Sequence, residues 1–414
     1  MAGYNEYMGR TAKRTEEEWW TQIELLEKGR KASFGSVRMP NDIRGILKSR
    51  GVNRFFSHQA KAICAIRKGK NVVIIAPTAS GKTESYLVPV IERALEGINT
   101  LVIYPTKALS RDQLERFREF SILGVTTEIY DGDTSDHMRR KIRGKPPHVL
   151  ITNMDMLHYI LMNNGLFRTF LKKLGFVVVD EIHTYSGMMG AHASHIIRRL
   201  KRIAGFFGSK PKFIACSATI SNAPEFCELL FGEKFVVVDA TGAPKAGVRH
   251  ILVNPSISYV SASLKIAERM LAKGSKTLVF GNSHSVVERI GLMAKRKGIL
   301  ISVYRGGLTQ DARKRVELEF KRGKVGALAT TSALELGVDI GSVDSVVLSG
   351  FPGSITKTKQ RIGRAGRKGR GAEAYFVARD NPLDQYYFEN THEYLRGEPE
   401  SCYVNPDNAH VSQW

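Results

Sequence analysis

The chain has 414 residues, 43% hydrophobic and 25% charged, with 62 Lys and Arg against 40 Asp and Glu for a formal net charge of +22. That length spans two or three domains and the composition is that of a globular chain, which excludes an intrinsically disordered, collagen-like or disulfide-stapled miniprotein. A basic balance speaks to partners and not to fold, and here it points to a polyanion, nucleic acid ahead of an acidic membrane surface.

No apolar run reaches the roughly 18 residues of a membrane helix, and residues 1–14 lack the apolar core of a secretory signal. An intracellular protein is expected, cytoplasmic or nucleoid-associated in a bacterium and nuclear in a eukaryote, with no membrane partner. Cys64, Cys216, Cys227 and Cys402 form no ligand-spaced pair. Reduced thiols are therefore expected, and no zinc cluster.

In chain order, Glu16, Glu17 and Glu18 lead into Trp19, Trp20, Ile23, Leu25 and Leu26. This reads as a short helix within an N-terminal helical extension over 1–35, docked through its tryptophans; the other reading is an aromatic platform for bases. Short β-branched runs at 72–76, 101–104, 149–152, 176–180 and 213–217 then alternate with helix-length amphipathic segments. Continuous apolar strands of this kind belong to a parallel sheet covered on both faces, here a first domain over 36–240. Gly242, Pro244 and Gly247 mark a linker over 241–250. The alternation resumes at 277–280, 301–304, 325–329, 343–348 and 374–378, giving a second domain over 251–380 and a tail over 381–414. The fold class is α/β, two tandem parallel-sheet domains with a cleft between them.

The strand at 72–75 runs into Ala76-Pro-Thr-Ala-Ser-Gly-Lys-Thr83, followed by Leu87, Val90, Ile91, Ala94 and Leu95 at helical spacing. Strand, turn and helix are the context a phosphate loop requires. Amides of Thr78, Ala79, Ser80 and Gly81 and of the helix start Lys82-Thr83-Glu84 offer aligned donors to phosphate oxygens. Lys82 supplies a point charge and Thr83 a hydroxyl within reach of magnesium. Ala76 departs from the usual glycine, so a small-residue turn is the alternative. A second run, Phe176-Val-Val-Val-Asp-Glu-Ile-His183, ends a buried strand on two carboxylates. At such an edge Asp180 can hold magnesium and Glu181 can orient or deprotonate water; alone, the pair would read as a solvated turn. His192 and His195 lack the carboxylate of a metalloprotease helix and read as packing or a solvated face. Cys216 reads as a core thiol.

Gln59, the 76–83 loop, Tyr104-Pro-Thr-Lys-Ala-Leu109, Tyr130-Asp-Gly-Asp133, Thr152-Asn153, Asp180 to His183, Ser217-Ala-Thr219, the stretch 329–340 and Gln360-Arg-Ile-Gly-Arg-Ala-Gly-Arg367 stand in the order found in superfamily 2 helicases. Over residues 50–378 the chain resembles that family, and Asp155-Met-Leu-His158, Ala333-Leu-Glu-Leu-Gly337 and Asn381-Pro-Leu-Asp-Gln385 resemble its DExH-box DNA-repair branch of MrfA-type and Lhr-type helicases. The cysteine-rich zinc domain of MrfA-type proteins has no counterpart in these residues, so the resemblance implies a short relative or part of a longer protein.

The resemblance further implies two RecA-like domains, ATP and Mg2+ as cofactors, and an ATP-dependent motor moving 3′ to 5′ on single-stranded or tailed duplex DNA as a monomer. It implies that Gln59 reads adenine, that Gly337 and Asp339 meet the ribose, and that Arg364 and Arg367 reach the phosphates. Thr106, Lys107, Asp133, Thr152, Asn153, Ser283 and Thr331 would line the strand track, with contacts to phosphates and not to base edges. His183, Ser217, Thr219 and Gln360 would couple that track to the nucleotide. The basic run Arg139, Arg140, Lys141, Arg143 and Lys145 either extends the track or is an exposed helix face. Two rivals stand beside this reading, an RNA-dependent motor of the same fold and a nucleotide-switched clamp without directional work. Between Asp344 and Gln360 there is room for one strand and a short loop, not for a long β-hairpin wedge.

Overall fold

The first described residues form strands where the sequence predicts a helix. In the computed structural model, which describes residues 13–77, 80–240, 242–335, 340–366 and 371–412, β1 Lys13–Glu17 pairs antiparallel with β2 Trp20–Glu27. The glutamates and leucines favour a helix locally. β2, however, lies along an eight-residue strand whose backbone edge would otherwise be unpaired, and that pairing buries Trp20 and Ile23. Tertiary context overrides the local preference.

β3 Phe34–Gly35 and β4 Phe55–Phe56 form a minimal antiparallel ladder. The first large sheet comprises β5 Val72–Ile75, β6 Asn99–Ile103, β7 Thr127–Ile129, β8 Val149–Thr152, β9 Leu174–Val179, β10 Lys212–Ser217 and β11 Val236–Asp239. Its order is β11-β5-β10-β9-β6-β8-β7, parallel throughout. Val72 and Ile74 of β5 enter one hydrophobic core while Val73 and Ile75 enter another, and Phe176 and Val178 of β9 divide from Val177 and Val179 in the same way. Period-two alternation between two buried faces is why these strands read as unbroken apolar runs.

The second large sheet adds β12 Val248–Pro255, β13 Thr277–Gly281, β14 Ile301–Tyr304, β15 Ala327–Thr330, β16 Ser345–Ser349 and β17 Ala372–Val377. Its order is β1-β2-β12-β17-β16-β13-β15-β14, with parallel pairing from β12 onward. β12 begins inside the stretch expected as linker, because the turn formers Gly242, Pro244 and Gly247 all precede Val248. Contacts divide the chain into two units, each around one sheet. The phosphate-loop unit takes 33–243 and the chain from Ser401; the arginine unit takes the N-terminal hairpin and 244–400.

Trp20 is 4% exposed in the core of the arginine unit, with the Arg269 guanidinium 4.6 Å from the ring centroid. Trp20→Ala is expected to destabilise that unit by about 3–5 kcal/mol in chemical denaturation, as for other buried tryptophans. A near-neutral effect would mean that the hairpin is not part of the core.

Candidate nucleotide and nucleic-acid site

β5 delivers the chain to the turn before helix Lys82–Leu95, and Gly81 closes that turn at φ 76°. The backbone angle favours glycine, and a Cβ at Gly81 would stand 2.3 Å from Gln59 Nε2 and displace that amide. Gln59 braces the turn: its Nε2 donates to the Gly81 carbonyl (2.9 Å) and its Oε1 accepts from the Phe56 amide (2.8 Å). His58, which the sequence reading passed over, lies beside it with Nε2 3.2 Å from the Ser80 carbonyl. Ser80 Oγ donates to the Pro77 carbonyl (2.7 Å). Glu84 is 8% exposed and faces Arg116 (3.3 Å) and Arg50 (3.5 Å). Thr78 and Ala79 lie outside the described residues.

The strand order places the end of β10 between the end of β5 and the end of β9. This brings Lys82 to the acidic pair, with Nζ 3.1 and 3.2 Å from the two carboxylate oxygens of Glu181. Glu181 has φ 50°, a left-handed conformation that costs a non-glycine residue on the order of 1 kcal/mol or more and aims its side chain at Lys82. Its amide donates to Asp180 Oδ1 (2.9 Å). Thr83 Oγ1 donates to Gln113 Oε1 (3.0 Å). Burial, and next the Glu181 charge, push the Asp180 carboxyl up to about 7 despite the opposing pull of Lys82. For Lys82, burial alone would lower the ammonium, but the Glu181 and Asp180 carboxylates outweigh it and the net direction is upward.

Burial holds the His183 imidazole below its ordinary value, hence neutral at physiological pH. Its Nδ1 then accepts from the Ala218 amide (3.4 Å) and lies 3.4 Å from Ser217 Oγ. His183 thus spans the acidic loop and the end of β10, where Ser217 is buried and Thr219 is exposed. The predicted core thiol Cys216 precedes Ser217 on β10 and is fully buried in a hydrophobic core.

On the neighbouring strand ends, Thr106 caps helix Lys107–Arg118 and Asn153 caps helix Met154–Met162, each accepting from a backbone amide (3.3 and 2.9 Å). Thr152 is buried and donates its hydroxyl to the Tyr130 carbonyl (2.7 Å). The exposed Asp133 carboxylate binds Lys107 (2.5 Å) and Arg111 (2.6 Å), and these two bonds hold its pKa low. Of the basic run, Arg139 and Arg143 brace the preceding turn through the Thr134 carbonyl (2.9 Å) and the Tyr130 hydroxyl (2.8 Å), while Arg140, Lys141 and Lys145 are exposed.

In the arginine unit, Ser283 caps helix His284–Arg296, and Thr331 precedes the short turn Ser332–Leu334. Helix Ile355–Ile362 carries Gln360, which is buried, and Arg361. Arg361 donates to Glu335 Oε1 (2.5 Å) and Asn282 Oδ1 (2.8 Å); Arg364, 1% exposed, donates to the Glu335 carbonyl (2.5 Å). Glu335 organises these arginines and was missed. A glutamate inside the apolar Ala333-Leu-Glu-Leu run demands a cationic partner, and that was the available signal. Gly337, Asp339 and Arg367 lie outside the described residues.

A lysine at the first turn after a parallel strand, facing carboxylates at the end of another strand two places away, defines a P-loop nucleotide-binding unit, and the second parallel sheet completes a tandem RecA-like architecture. The chain belongs to the superfamily 2 DEAD/DEAH box helicases. Residues 56–226 match the DEAD/DEAH box helicase model and residues 261–369 the helicase conserved C-terminal domain. Among its relatives is the uncharacterized ATP-dependent helicase YprA of Bacillus subtilis, 37% identical over 410 residues that cover 94% of this chain and 54% of that protein. The crystal structure of the DUF1998 helicase MrfA bound to DNA and AMPPNP has TM-score 0.89 and 36% identity, covering 94% of this chain and 57% of that one. The Mycobacterium smegmatis helicase Lhr bound to single-stranded DNA and AMP-PNP has TM-score 0.70 and 27% identity, covering 84% and 49%. The chain spans about half the length of these relatives.

The two acidic residues are expected to respond oppositely to neutralisation in the nucleotide-free protein. A raised Asp180 pKa stabilises the fold below the unfolded carboxyl value and loses that contribution as pH rises through about 7. Asp180→Asn therefore raises the thermal midpoint at about pH 8, on the order of 2 °C, with the gain vanishing in acid. Glu181→Gln leaves the Lys82 ammonium short of a partner and costs about 1–3 kcal/mol. Differential scanning calorimetry of both variants checks the opposite signs.

Proposed function

We propose that the chain acts as an ATP-driven DNA motor, a 3′ to 5′ helicase or translocase used in DNA repair or recombination. The observation that carries the reading is the Lys82–Glu181 contact beside Asp180. It joins the two halves of a nucleotide-hydrolysing site, and it stands in a chain 94% of which aligns with one relative, MrfA, solved with DNA and AMPPNP.

The contact gives each partner a second task. As ATP enters the 80–83 turn, Lys82 leaves Glu181 for the outer phosphate oxygens, and Glu181, released, orients the attacking water and accepts its proton. Thr83 and Asp180 fit magnesium: a hydroxyl and a desolvated carboxylate gain from a cation, and magnesium takes few protein ligands beside phosphate and water. Bound there, magnesium would supply charge neutralisation at the phosphates. His183 and Ser217 carry the change to the end of β10, and the exposed Lys107, the half-buried Arg111 and helix Asp136–Gly144 receive the strand. Arg364 and Arg367 serve the γ-phosphate, and Gln59 and Asp339 the adenosine.

Lys82→Ala is expected to lower single-strand-stimulated ATP hydrolysis by about 10²-fold or more, the scale for losing one preorganised charge. Strand displacement on 3′-tailed, 5′-tailed and blunt DNA with matched RNA tests the rest: the reading requires 3′-tailed DNA to be opened, with binding that weakens steeply with salt. A preference for RNA, or tight binding without displacement in either direction, overturns it.

A further inference from the structure

Residues 401–404 lie on the phosphate-loop unit and bond to two of its loops. On one side Asn222 Nδ2 donates to the Cys402 carbonyl (2.8 Å), the Cys402 amide donates to Asn222 Oδ1 (2.9 Å), and Ser221 Oγ lies 2.7 Å from Ser401 Oγ. On the other side the Gly187 amide (2.7 Å) and Ser186 Oγ (3.0 Å) donate to the Tyr403 carbonyl, and Cys402 Sγ reaches the His183 carbonyl (3.8 Å). Val404 is fully buried, and a Cβ at Gly190 would stand 2.9 Å from its Cγ2. The first loop follows Ser217-Ala-Thr219 and the second follows Asp180-Glu-Ile-His183. Cys402 and its neighbours therefore bridge from outside the same two segments that the His183 imidazole bridges from within.

The preceding residue belongs to the other unit. Glu400 accepts from the Ile355 and Thr356 amides (2.5 and 3.0 Å) and so caps the start of helix Ile355–Ile362, which carries Gln360 and Arg361 and leads to Arg364. Glu400 and Ser401 are consecutive, so one peptide bond joins the cap of the arginine helix to the bridge between the two loops.

We propose that residues 400–404 are a coupling strap, with Glu400 and Asn222 as positioning residues that transmit displacement between the arginine helix and the loops behind Glu181 and Ser217. The carboxylate grips two amides and the backbone of 402–403 is held by the two loops, so neither end slips while these bonds last. A shift of the arginine helix pulls on the His183–Ser217 contact through the strap, in addition to any effect of the nucleotide. The inference rests on reading the chain as a nucleic-acid-stimulated ATPase.

Two variants test it. Two glycines inserted between Glu400 and Ser401 leave every named hydrogen bond available but slacken the link, and N222A removes the bonds to Cys402. ATP hydrolysis is measured with and without saturating single-stranded DNA, alongside the thermal midpoint. Both variants are expected to keep the basal rate, while the ratio of stimulated to basal rate falls about fivefold or more, the lower range of allosteric coupling. In the insertion variant the thermal midpoint stays at the parent's value, an outcome that a merely structural role cannot combine with a fallen ratio. A ratio within about twofold of the parent's in the insertion variant, or in folded N222A, overturns the strap and leaves the motor reading intact. A parent protein that DNA fails to stimulate overturns both.

Discussion

A buried charge must be answered, and the structure turns on how this is done at Lys82. Its ammonium and the carboxylates of Glu181 and Asp180 come from helix and strand ends about a hundred residues apart, and each is nearly shielded from water. Removing such groups from solvent costs several kcal/mol per ion unless they find partners. The site answers itself, one cation against two carboxylates. That arrangement leaves an excess of negative charge, visible in the raised pKa of Asp180. The imbalance is tolerable in a fold held by two large cores, and a cation-bearing ligand can relieve it. A better satisfied site would be more stable and less ready to open for phosphate.

The same logic recurs in the arginine unit with the signs reversed. There two guanidinium groups converge on one glutamate, Arg361 on the Glu335 carboxylate and Arg364 on its carbonyl, all three deeply buried. Each unit thus holds a pre-positioned excess of charge, negative in one and positive in the other. Holding these groups in place before any ligand arrives lowers the reorganisation that chemistry would otherwise require. The backbone serves that end: parallel strands finish at one edge, and loops at that edge inherit the rigidity of the sheet.

The legible parts of the sequence were those where burial and chemistry coincide in a short window. The runs ending in Gly-Lys-Thr83 and in Asp-Glu-Ile-His183 announced both a strand and a site, because an apolar strand that stops on charged residues needs a reason for them. The N-terminal hairpin was illegible, since Glu16 to Leu26 carries helical composition and becomes strand only through pairing with β12, more than two hundred residues away. β7 is short and sits at a sheet edge, with polar residues Thr127 and Glu128 that give no apolar run to detect, whereas the edge strand β11 carries the run Phe235-Val-Val-Val238 and was passed over. Side-chain duties were harder still. Gln59 was recognisable as a motif residue, but only coordinates place its amide between Phe56 and Gly81.

Chain connectivity adds a constraint that neither sheet reveals by itself. The polypeptide passes between the units at 32–33, at 243–244 and again at 400–401, so three covalent crossings join them where tandem domains require only one. A single linker leaves two bodies free to reorient at little cost beyond loop entropy. Each added crossing removes part of that freedom and channels what remains into fewer collective motions. The crossings also end in ordered contacts: Arg30 pairs with Lys245 through two backbone hydrogen bonds (2.8 and 2.9 Å), and Ser33 donates to the Gly242 carbonyl (2.9 Å). The outer segments of the chain therefore belong to the mechanical frame of the core. The net charge of +22 then matters as surface chemistry, concentrated in side chains such as Arg140, Lys141 and Lys145 that the frame leaves exposed, while the charges that do the internal work are the few it buries.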